Sequence, residues 1–230
     1  MIDIKHFQKI KKILMILLVK KFFNNEFIIF LRNLFGIRKI DISVAKLKNP
    51  TSISDAFCWR TDNNFTTVFK YSDILSNFYN IENSLVTLNF YTKKNNLIKS
   101  IIIENLNETN ELIIDKKFLN GIEDYGVFYI FHSSKKKINE NIIISNRCYL
   151  GYSKNMNLPS FVHGNTLAKY QSINMEQKGT NLIKNSLFLN QIYRVQTFFA
   201  EYSNSEAFFV NPTSKIVKFK INNKKYLLNS

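Results

Sequence analysis

Acid–base chemistry and metal binding near neutral pH most often use imidazole, and this chain of 230 residues offers three: His6, His132 and His163. Their wide separation matches no metal-ligand spacing on one strand or helix. His132 and His163 with a carboxylate make the one pair that could hold a metal on a jelly-roll scaffold. His132 also falls in step with Phe128 and Ile130, which reads as a core or edge position. Carboxylates are scattered through the body, and no spacing singles out two of them for acid–base work. Phosphate-binding glycine loops, the Gly-x-Ser-x-Gly elbow and His-Glu-x-x-His are all absent, and six glycines leave little material for a nucleotide cradle. Cys58 and Cys148 are too few for a multi-cysteine zinc site. Without an export signal they are expected as reduced thiols.

Two short stretches hold residue types that recognise polar ligands. The first runs from 147 to 165, where Arg147, Tyr149, Tyr152, His163 and Asn165 combine aromatic planes, a guanidinium fork and hydrogen-bonding groups. Such a set suits a sugar or another polar ligand. The second, residues 55–62, contains the chain's one tryptophan, Trp59, beside Arg60 and between Asp55 and Asp62. Trp59 could stack on a ligand while Arg60 pairs with a neighbouring carboxylate. In the competing reading of both stretches, His163 and Asn165 satisfy backbone groups in a loop, and Trp59 plugs the end of a sheet.

These candidates need a rigid scaffold, and the apolar pattern specifies a β-rich one. Val86, Leu88 and Phe90 alternate with polar positions, and Lys93-Lys94-Asn95-Asn96 turns the chain, so 85–103 reads as a hairpin. Strands are expected at 111–115, 126–132 and 141–150, and a short helix at 72–79. Four antiparallel strands are expected at 193–201, 207–210, 215–221 and 224–228. Residues 151–192 read as the least regular stretch, a long excursion across one face. Nothing after residue 36 resembles the crossover helices of a parallel α/β fold. The expected fold is an all-β antiparallel sandwich or jelly roll over residues 51–230, joined by a linker at 37–50 to a helical segment at 1–36.

Charge separates that N-terminal segment from the body. The chain carries 32 basic and 17 acidic residues, a formal +15. Residues 1–48 hold eleven basic against three acidic groups, so +8 lies in a fifth of the chain and +7 is spread over the rest. Abundant Lys, Asn, Ile and Phe share A/T-rich codons, which accounts for part of the excess but not its asymmetry. Within 1–36, Lys5, Lys9, Lys12 and Lys20 lie on one helical stripe and Ile4, Phe7, Ile10, Leu14 and Leu17 on another. Phe27, Phe30, Leu31 and Leu34 form a second greasy face. The apolar run 13–19 is too short to span a bilayer and has no cleavage pattern after it. Two fates follow: the greasy faces pack on the body, or they lie in the interface of an anionic membrane.

The expected function is a non-catalytic binding module for a carbohydrate-like ligand or a protein partner, needing no cofactor. It is expected in the cytoplasm, with peripheral membrane contact through the N-terminal helix. The first alternative is a cupin-like jelly-roll enzyme using His132 and His163, although this chain lacks the His-x-His strand usual in metal-binding cupins. The second is a basic nucleic-acid binder. Lys218 and Lys220 flank Phe219, but they alternate as on any solvated strand, which argues against nucleic acid as a partner.

Overall fold

The computed structural model describes residues 4–23, 25–35, 40–42, 47, 50–146, 148–163, 167–185, 206–213, 216–221 and 224–229. Contacts divide the chain into two units, Met1–Asp41 with Lys184–Ala207 and Ile42–Ile183 with Phe208–Ser230. The first contains helices α1 (Ile4–Phe23) and α2 (Glu26–Leu34). Helix α1 ends at Phe23 and α2 begins at Glu26. Asn25 Oδ1 accepts the Phe27 amide at 3.0 Å, capping the second helix. Every residue from 11 to 19 of α1 is exposed. Phe27, Phe30 and Leu34 of α2 are exposed and Leu31 is half-buried, while Ile29 and Arg32 are buried. The side chains of Lys5, Lys9 and Lys20 lie outside the described residues.

After β1 (Ile40–Ile42), the chain forms β2 (Thr51–Asp55), β3 (Phe57–Arg60), β4 (Phe65–Ser72) and α3 (Ile74–Tyr79). There follow β5 (Ser84–Thr92), β6 (Leu97–Ile103), β7 (Thr109–Ile114), β8 (Tyr125–Ser134) and β9 (Ile143–Ser145). The last strands are β10 (Tyr149–Lys154), β11 (Ser160–His163), β12 (Leu167–Ser172), β13 (Thr180–Asn181), β14 (Ile183–Asn185), β15 (Val217–Ile221) and β16 (Lys224–Leu228). Three four-stranded sheets result, in the orders β3-β8-β5-β6, β11-β10-β4-β7 and β13-β12-β2-β9, with two-stranded pairs β1-β14 and β15-β16. Within the four-stranded sheets every pairing is antiparallel except β2 with β9. The body is an all-β sandwich.

Alternation builds the core. Val86, Leu88 and Phe90 of β5 with Phe128 and Ile130 of β8 meet Phe69 and Tyr71 of β4, Ile114 of β7 and Leu150 of β10. Phe128 packs against the rings of Phe57, Phe69 and Phe90 with centroids 4.8 to 5.4 Å apart. The opposite face of β8 is also covered, since Tyr129 and Phe131 pack with Ala168 of β12. A strand buried on both faces sits in a locally three-layered region.

Ala56 separates β2 from β3, and there one extended segment changes sheets. β3 pairs with β8 only from Tyr125 to Phe128. Beyond that, two serines of β2 stand in for the missing backbone partner. Ser54 Oγ accepts the Ile130 amide at 2.9 Å and Ser52 Oγ accepts the His132 amide at 3.0 Å. Asn146 donates through Nδ2 to Ile53 O and Ile130 O at 3.0 and 2.9 Å. Buried backbone groups must find partners, and short polar side chains supply them where two sheets part.

Several expectations are corrected. The run 141–150 is not one strand: it breaks at Asn146, whose amide is occupied in cross-linking, and resumes as β10 in a different sheet. Residues 151–192 are not an irregular excursion, for β10 to β14 occupy most of 149–185. Residues 207–210 form no strand; Phe208 packs edge-on against Tyr125 and Phe209 against Phe219, so their apolar side chains are used singly. The run expected at 193–201 lies outside the described residues. The hairpin at 85–103, the helix near 72–79 and the final hairpin β15–β16 form as expected.

Candidate functional site

Tyr149 opens β10 between two neighbours, aligned with His163 of β11 on one side and Lys70 of β4 on the other. Lys70 is aligned in turn with Glu111 of β7. One cross-strand row therefore reads His163–Tyr149–Lys70–Glu111 across the whole sheet. Since side chains alternate along a strand, burial of Leu150, Phe69 and Ile114 in the core turns this row outward. Tyr149 is 49% exposed, and His163, Lys70 and Glu111 are exposed.

The row is organised by direct contacts. The Tyr149 and His163 rings lie 4.1 Å apart at 45°, and Lys70 Nζ is 3.2 Å from Glu111 Oε2. The next row of the same face aligns Phe161, Gly151, Val68 and Ile113. Phe161 lies over Gly151 so closely that a Cβ there would meet its ring at 2.7 Å. Glycine at 151 thus gives the Phe161 ring its seat. The Lys70 ammonium is 5.0 Å from the Phe161 centroid, within cation–π range. The result is an open aromatic face with one donor and one carboxylate beside it.

The remaining candidates are placed elsewhere or are not described. Arg147 and Asn165 lie outside the described residues. Tyr152 faces inward and donates its hydroxyl to Cys58 O at 2.9 Å, tying β10 to β3. Trp59 is fully enclosed in the core, with Nε1 donating to Tyr91 O at 2.9 Å, so neither ring face is open to a ligand. Arg60 is buried as well. Its Nε and Nη2 donate to the two Asp62 oxygens at 2.9 and 3.1 Å, and the guanidinium lies 3.7 Å from the Phe65 centroid. This bidentate, stacked arrangement closes the sheet edge.

His132 has no solvent exposure, and Nε2 is 3.0 Å from Ser72 O. A carbonyl only accepts, so Nε2 carries the hydrogen, and the buried Nδ1 has no hydrogen-bond partner. Burial lowers its pKa from 6.5 to about 4, opposed by the Asp73 carboxylate. His132 is thus a core residue, while His163 stands on an outer face. Among the described residues no three His, Cys, Asp or Glu groups are placed to hold a metal ion. Cys58 and Cys148 are free thiols; burial raises Cys58 to about 11, and Cys148 is raised further by burial and by Asp55. Neither is activated as a nucleophile at neutral pH.

A separate recess of about 400 Å³ lies between residues 80–82 and 136–140. It contains no aromatic side chain and shares no residue with the aromatic face. Only strand register brings Lys70 and Glu111 beside Tyr149, and their spacing in the sequence carries no signal of it. Phe161 belongs to the segment that drew attention in the sequence, but its seat on Gly151 depends on the β10–β11 pairing. No family model matches the chain, and no curated protein or solved structure is significantly similar to it.

Proposed function

We propose that the body is a non-catalytic binding module whose open β11-β10-β4-β7 face takes a carbohydrate-like ligand. The observation that carries the reading is the His163–Tyr149–Lys70–Glu111 row with Phe161 beside it. The apolar C–H face of a sugar stacks on exposed aromatic rings, and its hydroxyls both donate and accept. Lys70 supplies a donor and Glu111 an acceptor, already oriented by their ion pair. Strands ~4.8 Å apart place successive row members at steps comparable to the width of a sugar ring.

Electrophoresis through gels containing dextran, xylan or glucomannan tests this directly. At least one polysaccharide is expected to retard the wild-type chain, and Tyr149→Ala to weaken that retention about tenfold, or about 1.4 kcal/mol. Gly151→Ala is expected to weaken it too, because the added methyl displaces Phe161. Equal retention of wild type and Tyr149→Ala, or no retardation by any of the three, contradicts the proposal.

A further inference from the structure

We infer that α1 inserts into the surface of an anionic bilayer, with residues 13–19 immersed on every side below the headgroups. Lys11, Lys12 and Lys21 reach back to the phosphates. This is independent of the sheet-face reading and concerns only the N-terminal unit.

Residues 13–19 of α1 are exposed around the whole circumference of the helix. Ile13, Leu14, Met15, Ile16, Leu17, Leu18 and Val19 are each between 45% and 63% exposed. Seven consecutive residues cover nearly two turns, or about 10 Å of helix, so no side of that segment is polar. The lysine stripe expected along α1 is interrupted here, because Ile16 lies four residues from both Lys12 and Lys20. A helix that is apolar all round belongs in an apolar surrounding, and a patch this extensive marks a contact surface. Phe22 and Phe23 extend it, at 63% and 43% exposure. On α2, Phe27, Phe30 and Leu34 at i, i+3 and i+7 add a second apolar face, each more than 60% exposed.

Charge selects the occupant. The α1 sequence carries six lysines and no carboxylate. A second copy of the helix would bring six positive charges against six, which opposes pairing at moderate ionic strength. An anionic bilayer supplies both an apolar interior and a negative surface. Lys11, Lys12 and Lys21 are exposed at the two ends of the apolar run, close enough to the headgroups for their long stems to snorkel. Among the described residues no helix is long and apolar enough to cross a membrane, so the geometry points to insertion parallel to the surface, with the apolar run below the headgroups.

Vesicle sedimentation with the full chain tests the inference. Phosphatidylcholine vesicles containing about one-third phosphatidylglycerol should pellet the protein, and each lysine near the surface contributes about fivefold. Lys11→Gln, Lys12→Gln and Lys21→Gln combined should therefore weaken binding at least tenfold. Leu14→Glu with Leu17→Glu and Leu18→Glu should abolish it, while an unchanged thermal unfolding profile shows that the body is intact. Depth is read by placing a single tryptophan at Leu14 or at Ile16, on opposite sides of α1, against lipids brominated along the acyl chain. Trp59 is enclosed and gives a constant background. Both new tryptophans should be quenched alike. Quenching at only one position overturns all-round immersion. Equal pelleting on pure phosphatidylcholine, or retained binding by the triple glutamate variant, overturns the membrane assignment. So does lipid-free self-association that the glutamates abolish, with no binding to vesicles.

Discussion

Acidification should unfold this protein in part through a single side chain, His132. Its folded-state pKa is about 4 against an ordinary 6.5. Burial is the main cause: a second proton would sit on Nδ1, which has no acceptor, in a core with no access to water. Asp73 offsets this only in part. The sign follows from proton counting. Between pH 6.5 and 4 the unfolded chain binds a proton that the folded chain does not, so folding weakens as pH falls through that window. The contribution is fully present above 6.5, and its loss levels off below 4. At about 1.4 kcal/mol per pH unit, the lowering amounts to roughly 3 kcal/mol, most of which is lost by pH 4.5. The perturbation is His132→Gln, which keeps an N–H for Ser72 O and removes the titrating group. Urea unfolding of both proteins at pH 7.5 and 4.5 gives two differences, and carboxylates common to both cancel. The wild type should lose roughly 2 to 3 kcal/mol more than the variant on acidification. Parallel pH dependences, within about 0.5 kcal/mol, would refute the argument.

Gly126→Ala should be among the most damaging single changes, because its Cβ would lie 2.0 Å from Tyr91 O and 2.8 Å from Trp59 Nε1. Backbone and an enclosed indole cannot both yield, so a loss of about 3 kcal/mol or more, seen as a drop of roughly 10 °C in Tm, is expected; a near-neutral result would contradict that packing. Asn80 ends α3 at φ 53°, with its amide directed to Leu75 O and Ser76 O. Asn80→Ala should cost about 1 kcal/mol, as a left-handed alanine does, while Asn80→Gly should be neutral or slightly stabilising. Chemical unfolding separates the two outcomes, and equal effects of Ala and Gly would mean that backbone geometry is not what selects asparagine there.

The strands written as clear alternations were legible in the sequence. Val86, Leu88 and Phe90 point one way, and the polar turn after them left no alternative to a hairpin. Less legible were the places where polar side chains replace backbone partners. Ser52 and Ser54 look like ordinary solvent-facing strand residues, yet they are buried and bond the amides of β8. Asn146 interrupts an apolar, β-branched run that period alone extends through residue 150. Asparagine also hid the turns. Among the described residues, eight asparagines adopt positive φ, including both Asn63 and Asn64. They tolerate the left-handed region better than other non-glycine residues, so a chain with six glycines still turns tightly. The candidate face was half visible: Tyr149 and His163 stood out by type, whereas Lys70 and Glu111 joined them through pairings separated by tens of residues.

Core and candidate site are two faces of the same strands, which is why one constrains the other. In β10, Leu150 packs in the core and the Tyr152 hydroxyl holds Cys58 O. These two inward positions lock the phase of the strand, so Tyr149 and Gly151 must face outward. A slip of one residue would bury Tyr149 and expose Leu150. The Arg60 clasp acts at the neighbouring β3, where Thr67 Oγ1 of β4 accepts the Arg60 amide and donates back to Arg60 O. β4 is thereby fixed against β3, and with it the outward position of Lys70. Tyr152 and Arg60 thus contribute to the aromatic face by setting strand phase from beneath it, while Trp59 ties β3 to β5 in the neighbouring sheet. The residue types of all three signalled aromatic and charged chemistry; burial gives them structural contacts instead, and those of Tyr152 and Arg60 hold Tyr149 and Lys70 outward.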